Sequence, residues 1–382
     1  MSDRHYLDHA STSVLRPEAA QAMAAWLHRG WAGDPGRVHA EGHAARDSIE
    51  TAREAVAALL GTTANRVVFT SGGTEAANTA IFAVGRTRNG AAMICADVEH
   101  SCVREAAMRS GAVSVLRVDS TGRIDIEHLD ALLADRENPV ALVNCQWCNH
   151  EVGTLQPVSE VVARCRSAGV PVHVDAAAAA GHVPMALDAL GADFVSVSAH
   201  KLGGPPGIGA LVVRRGLRLE PFVIGGAQER ARRGGLENVL GIVGFGAAAA
   251  ALNEPGRLEA EEAAARRLTD ALVDSAMSVE DVVALGDSIR RAPHIVSVAV
   301  GGVQAEAVLL GLDRSGIAAH SGSACSSESI EPSPVLAAMG VDPDRSLRLS
   351  VGWSTTEADA EAFASAFPLV VEHLRALGTA AT

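Results

Sequence analysis

Between positions 66 and 214 short apolar runs alternate with helical stretches, and this alternation constrains the fold more than any other feature of the chain. Strand-like runs fall at 66–70, 91–96, 113–118, 140–144, 170–175, 193–198 and 210–214. Helical patterns at 75–84 and 159–168 lie among them. Strands separated by helices imply a mainly parallel sheet covered on both faces, an α/β fold. Upstream, Pro17 opens an amphipathic helix to about His28, and 44–60 sets Ile49, Ala52, Val56 and Leu59 at helical spacing.

A break at Asn253-Glu254-Pro255-Gly256 marks a boundary. Beyond it the pattern reads as helix at 257–278, strand at 294–300, helix at 305–315 and strand at 317–321. Helix at 334–339, strand at 346–351 and helix at 357–377 follow. The expected organisation is a large domain over 14–252 and a small α+β domain made of 1–13 and 257–382.

Composition excludes several function classes. A net charge of -13 speaks against a phosphate-backbone binder, and 3% aromatics speak against a stacking platform, so no nucleic-acid partner is expected. The basic clusters Arg214-Arg215 and Arg230 to Arg233 read as exposed, solvated charge. No apolar stretch is long enough to span a membrane, and the start, Met1-Ser2-Asp3-Arg4-His5, lacks a signal peptide's apolar run. The six cysteines are scattered without a disulfide framework, which suits a reducing cytoplasm. Cys145 and Cys148 form a C-x-x-C with no second pair, so they read as small core or loop residues and no metal site is expected.

Chemistry concentrates where strands end. Lys201 follows the apolar run Val195-Ser196-Val197-Ser198-Ala199-His200 and precedes a Gly/Pro-rich turn. Burying an ammonium is costly, so a lysine here invites a covalent role, as a Schiff base to an aldehyde cofactor. Taken alone it equally fits a strand-end lysine reaching into solvent. Thr74, His100, His150, Asp175 and Lys201 all lie at or just past strand ends, where ligands bind on such sheets. If the cofactor is pyridoxal 5'-phosphate, Ser71-Gly72-Gly73-Thr74 offers a phosphate cradle at a helix start, helped by Ser198 and His200. Asp175 would keep the ring nitrogen protonated, His100 would stack on the ring, and Arg348 would take a substrate carboxylate. Each of these residues has an ordinary reading too: a helix cap, a loop histidine, a surface arginine.

Cys325 sits in Ser321-Gly322-Ser323-Ala324-Cys325-Ser326-Ser327, a small polar loop where a sulfur can be exposed. A thiolate there can attack the sulfur of a bound L-cysteine, giving alanine and a persulfide. An idle surface thiol is the other reading.

The chain resembles the cysteine desulfurases of the class V aminotransferase fold, in the NifS-like group. The resemblance rests on Tyr6-Leu7-Asp8-His9-Ala10, Phe69-Thr70-Ser71-Gly72-Gly73-Thr74-Glu75, Glu99-His100 and His173-Val174-Asp175-Ala176-Ala177. Ser198-Ala199-His200-Lys201, Gly225-Gly226-Ala227-Gln228-Glu229-Arg230 and Ser321-Gly322-Ser323-Ala324-Cys325-Ser326 complete it. It implies a pyridoxal-phosphate homodimer with sites near the subunit interface, and persulfide transfer to a sulfur-acceptor protein. Lys201, Cys325 and His100 would be catalytic. Gly73, Thr74, His100, His150, Asp175, Ser198, His200 and Lys201 would hold the cofactor, and Arg348 the substrate. The chain departs from the family at His150 (usually Asn), Ala178 (usually Gln), Leu236 (usually Thr) and Asp34 (usually Asn). The alternatives are another class V enzyme, such as a C–S lyase or a specialised biosynthetic transferase, and a non-catalytic sulfur carrier.

Overall fold

The structure, a computed structural model, describes residues 4–29, 33–87, 91–321 and 332–380. Strand β1 (His5–Tyr6) stands apart from the central sheet, which is built from β2 (Val67–Thr70), β3 (Ala92–Ala96), β4 (Val113–Leu116), β5 (Val140–Gln146), β6 (Val172–Asp175), β7 (Phe194–Ser198) and β8 (Gly209–Val213). The spatial order is β2-β8-β7-β6-β5-β3-β4, with β8 antiparallel to both its neighbours and the other pairs parallel. The mainly parallel sheet expected from the alternation is present. The reversal at β8 follows from a short connection: 199–208 is too brief for the helical crossover that a parallel partner needs. Lys201 lies within that connection.

Val143, Val174, Val195 and Val197 on one face of the sheet pack with Val56, Phe245 and Leu252 of the covering helices. Met93, Leu142, Phe194 and Leu211 pack with Ala77, Ile81 and Val103 on the other. Small residues allow close approach: the helices Ala40–Leu59 and Val239–Leu252 touch where a Cβ on Gly246 would lie 2.4 Å from Ala52 Cβ.

A second sheet, in the order β12-β10-β9, pairs β9 (Val282–Leu285), β10 (Ile295–Val300) and β12 (Ser346–Ser350), all antiparallel. Strand β11 (Ile317–Ala318) pairs with β1 in parallel. These elements share their own core, with Leu7, Val298, Leu347, Phe363 and Phe367. Leu7 thus ties the chain's start to this C-terminal core.

Several sequence boundaries shift. The helix expected from Glu75 begins at Gly73, because the Glu75 carboxylate turns back to accept the Ser71 N–H at 2.9 Å and stabilises the first turn. The strand expected at 317–321 stops at Ala318, and His320 instead makes an isolated bridge to Arg348. Strand β9 and the helices Ser101–Ser110 and Ile126–Ala134 have no counterpart in the sequence reading.

The basic clusters are not simply solvated charge. Arg214 pairs with Asp193, Arg230 with Glu50 and Arg233 with Glu75. Between them the backbone at Glu229, Arg230 and Ala231 takes positive φ of 47°, 59° and 60°, a strained left-handed turn for residues with a Cβ. The buried Glu229 carboxylate pins it, accepting from Arg53 Nη1 and Nη2 at 2.6 and 2.8 Å and from the Phe69 N–H at 2.9 Å.

Glu229→Ala strands the buried Arg53 guanidinium. Removing one partner of a buried pair costs about 3–5 kcal/mol, so the variant should show a clearly lower urea midpoint. An unchanged midpoint would mean that water re-solvates Arg53.

Candidate active site

A cavity of about 560 Å³ opens at the carboxyl ends of β2, β5, β6 and β7. It is lined by Gly73, Thr74, His100, His150, Asp175, Ser198, His200, Lys201 and Arg348. All the described residues assigned to the site from sequence therefore meet in one place. Cys325 lies outside the described residues.

Lys201 ends a single helical turn, Ala199–Lys201, and is half-buried. Its turn is fixed from outside the sheet. The Ser13 N–H donates to His200 O at 2.8 Å, the Arg16 N–H to Gly203 O at 2.8 Å and Arg16 Nε to Leu202 O at 2.9 Å. Arg16 is itself buried and forked on Glu261 at 2.8 and 2.5 Å. Behind the turn, His182 Nε2 donates to Lys201 O at 2.9 Å, and the His182 ring stacks on His294 at 3.6 Å between centroids.

The cradle is Ser71-Gly72-Gly73-Thr74, at the start of the helix Gly73–Gly85. First-turn N–H groups and the helix dipole favour an anion there. A Cβ on Gly72 would meet nothing within 4 Å, so this stretch faces open space. Next to it, a Cβ on Gly209 would lie 2.6 Å from Gly72 C and from Val197 O; glycine lets β8 come this near. The neighbouring Glu75 would repel an anion, but Arg233 Nε and Nη2 engage its two oxygens at 2.9 and 3.2 Å.

Asp175 Oδ1 accepts from the Ala177 N–H and from Ser196 Oγ, each at 3.0 Å. That leaves Oδ2 for the cavity. Ser196 Oγ also sits 3.0 Å from His173 Nε2, while His173 Nδ1 donates to Asn144 Oδ1 at 3.0 Å. Burial holds His173 down at about 4, so its Nε2 can only accept. His173 and Asp175 thus compete for one serine proton.

His100 is the N-cap of the helix Ser101–Ser110: its Nδ1 accepts from the Cys102 N–H at 3.2 Å. The neutral ring therefore carries its proton on Nε2. Burial and the nearby Lys201 charge lower its pKa. The His150 ring meets His100 edge-on, 5.1 Å between centroids at 68°. Burial, reinforced by His100, Lys201 and Arg348, pushes His150 well below its ordinary value.

Arg348 is buried, with partners from separate segments. Nη2 donates to Asp8 Oδ1 at 2.8 Å and to Ser11 Oγ at 2.6 Å, and Nη1 donates to His150 O at 2.8 Å. Its Nε has no partner among the described residues. The sequence reading did not assign Asp8 and Ser11 to Arg348, and it missed Cys102, Cys148 and His320 on the cavity wall. Asp8 lies in the quoted Tyr6-Leu7-Asp8 motif, which was a usable signal; His320 had none. Cys145 and Cys148 are buried, as expected of core residues.

These groups fit an aldehyde cofactor with a phosphate and a basic ring nitrogen: an anion cradle, an amine and an outward-facing carboxylate oxygen share one cavity. Residues 5–363 match the family described as aminotransferase class-V. The chain belongs to that family, in its cysteine desulfurase group. A cysteine desulfurase of Nostoc sp. (strain PCC 7120 / SAG 25.82 / UTEX 2576) is 39% identical over 97% of this chain and 94% of its own length. One from Cereibacter sphaeroides is 39% identical over 98% and 97%. Among solved structures, the NifS-like protein from Rickettsia africae ESF-5 superposes with a TM-score of 0.89 at 29% identity, covering 97% of this chain and all of the other. Class V aminotransferases use pyridoxal phosphate, in agreement with the cavity's donor set.

The site's burial sets a pH dependence of stability. Burial lowers His9, His173 and His182 to about 4, and His150 and His294 well below their ordinary value. The unfolded chain therefore binds protons below about pH 6.5 that the folded chain refuses, at roughly 1.4 kcal/mol per pH unit per histidine. Burial raises Glu99 to about 8 and Glu151 to about 7, so their contribution runs the other way, lost as pH rises from about 4.5. The histidines outnumber the carboxyls, so the urea midpoint should fall from pH 6.5 to pH 5. Glu99→Gln removes one opposing group and should steepen that fall; a shallower fall would mean that Glu99 is ionised in the folded protein.

Proposed function

We propose that the chain is a pyridoxal-phosphate-dependent cysteine desulfurase that converts L-cysteine to L-alanine and leaves a persulfide on Cys325. The observation carrying this reading is the convergence of Lys201, Asp175, His100, Arg348 and the Ser71–Thr74 cradle on one cavity. The relatives from Nostoc sp. and Cereibacter sphaeroides, each 39% identical, are cysteine desulfurases.

Bound pyridoxal phosphate supplies an electron sink for the pair released at the substrate's Cα. Lys201 Nζ would hold it covalently and would move the proton at the substrate's Cα. Asp175 Oδ2 would accept from the protonated ring nitrogen. Gly73 and Thr74 would hold the phosphate, with Ser198 and His200, whose Oγ and Nδ1 lie 3.1 Å apart. His100 offers Nε2–H to the reacting groups. Arg348 takes the substrate carboxylate. The Cys325 thiolate attacks the substrate sulfur: an S–S bond forms, the C–S bond breaks and the carbon keeps its electron pair. Protonation of that carbon gives alanine's methyl group, and the persulfide passes to an acceptor protein.

The same proposal includes a cytoplasmic homodimer with domains over 14–252 and over 1–13 with 257–382. The small sheet's own apolar core supports the division, although Val335, Leu336 and Met339 pack into the large-sheet core. Ile224 and Leu236, 78% and 64% exposed on the segment that carries Arg233, support a second copy covering this side.

Incubation with L-cysteine should yield alanine and a 32-Da gain on the Cys325 peptide, about the mass of one sulfur. Cys325→Ser should still bind L-cysteine with a change in cofactor absorbance, yet release no sulfide in the presence of a reductant. Normal sulfide release by this variant would favour a C–S lyase.

Ala178 lines the cavity where the family has a glutamine, and Leu236 replaces a threonine. A hydrogen bond to a charged group contributes roughly 1.5–3 kcal/mol, about ten-fold or more in affinity. Ala178→Gln and Leu236→Thr should each slow cofactor loss on dialysis, the double variant most. No gain in either would show that this site is built around the residues it has.

A further inference from the structure

The carboxylate end of the cavity is charge-balanced before any substrate arrives. Asp8 Oδ1 lies 2.8 Å from Arg348 Nη2, with side chains 18% and 4% exposed, so the guanidinium meets an incoming carboxylate as half of an ion pair. Asp8, Ser11 and His150 O occupy both Nη2 protons and one Nη1 proton. Nε is buried, so one Nη1–H remains for a ligand.

A second donor is therefore required, and His150 is poorly placed to be it. Its ring is packed edge-on to His100, and its Nε2 lies 3.6 Å from Glu151 Oε1. Glu151 is in turn held by Ser333 Oγ at 2.5 Å.

His320 stands directly beside Arg348. The His320 N–H donates to Arg348 O at 3.2 Å, and the Arg348 N–H donates to His320 O at 2.7 Å. A pair that exchanges both hydrogen bonds is directly opposed in an antiparallel bridge, and its side chains leave the same face. Both residues line the cavity that contains Lys201.

We propose that His320 is a substrate-binding residue, donating an imidazole N–H to the substrate carboxylate alongside Arg348. A neutral imidazole has one N–H to give and a protonated one has two, so the role needs no fixed charge. The donor also offsets the attraction that Asp8 takes from Arg348. The inference rests on the desulfurase reading for the identity of the substrate as an amino acid.

The test separates the carboxylate from the rest of the substrate. Binding of 3-mercaptopropionate, which has thiol and carboxylate but no amine, and of cysteamine, which has thiol and amine but no carboxylate, is measured calorimetrically on the holoenzyme. His320→Ala should weaken 3-mercaptopropionate about ten-fold or more and leave cysteamine unchanged. His320→Gln, which keeps an N–H donor, should recover most of the loss. KM for L-cysteine should rise in His320→Ala with a smaller change in kcat. Equal weakening of both ligands, unchanged 3-mercaptopropionate binding, or its failure to bind the wild-type protein would overturn the proposal. The calorimetry does not depend on turnover, so a wild-type protein that forms no alanine would count against the desulfurase reading alone.

Discussion

A buried guanidinium organises the joint between the two sheets. Arg348 projects from the small sheet and satisfies its charge on groups that arrive from elsewhere: Asp8 and Ser11 from the chain's start, and the His150 carbonyl from the loop after β5. Leaving such a charge without partners would cost several kcal/mol. That requirement draws the N-terminal segment across the mouth of the large sheet, where Ala10 and Ser11 become cavity wall. The same segment then reaches the Lys201 turn through the Ser13 and Arg16 N–H groups. One desolvated charge thus fixes the substrate end and, along a few residues of chain, the lysine end.

In and around the cavity, burial decides which groups are charged. His150 and His100 are kept from protonating by their low-dielectric surroundings and by the cations around them. Glu99 and Glu151 are pushed toward the neutral form, with pKa values of about 8 and 7. Asp175 Oδ1 is anchored by the Ala177 N–H and Ser196 Oγ. Histidines and glutamic acids held toward their neutral forms suit a site that must move protons near neutral pH without accumulating charge.

Of the four departures from the family, His150 and Ala178 line the cavity. His150 brings a ring where an amide is usual, and that ring packs against His100 instead of reaching outward. Ala178 is buried in the wall, whereas Leu236 is exposed and is not part of it. The lysine, the cradle and the ring-nitrogen carboxylate keep the family pattern, and the changes fall on positions around them.

The sequence by itself determined the α/β class, the mainly parallel sheet and the set of strand-end residues that meet in the cavity. Those follow from local periodicity and from the rule that ligands bind at the carboxyl ends of parallel strands, both readable along the chain. The β8 reversal was also implicit, since the loop holding Lys201 is too short for a crossover. Only the tertiary structure decided that Arg348 answers to Asp8, that His100 is locked into one tautomer by capping its helix, and that His320 shares a face with Arg348. Each depends on contacts between residues far apart in sequence, such as 8 and 348. A side chain's charge and available protons are set by what surrounds it in space, and no local pattern carries that information.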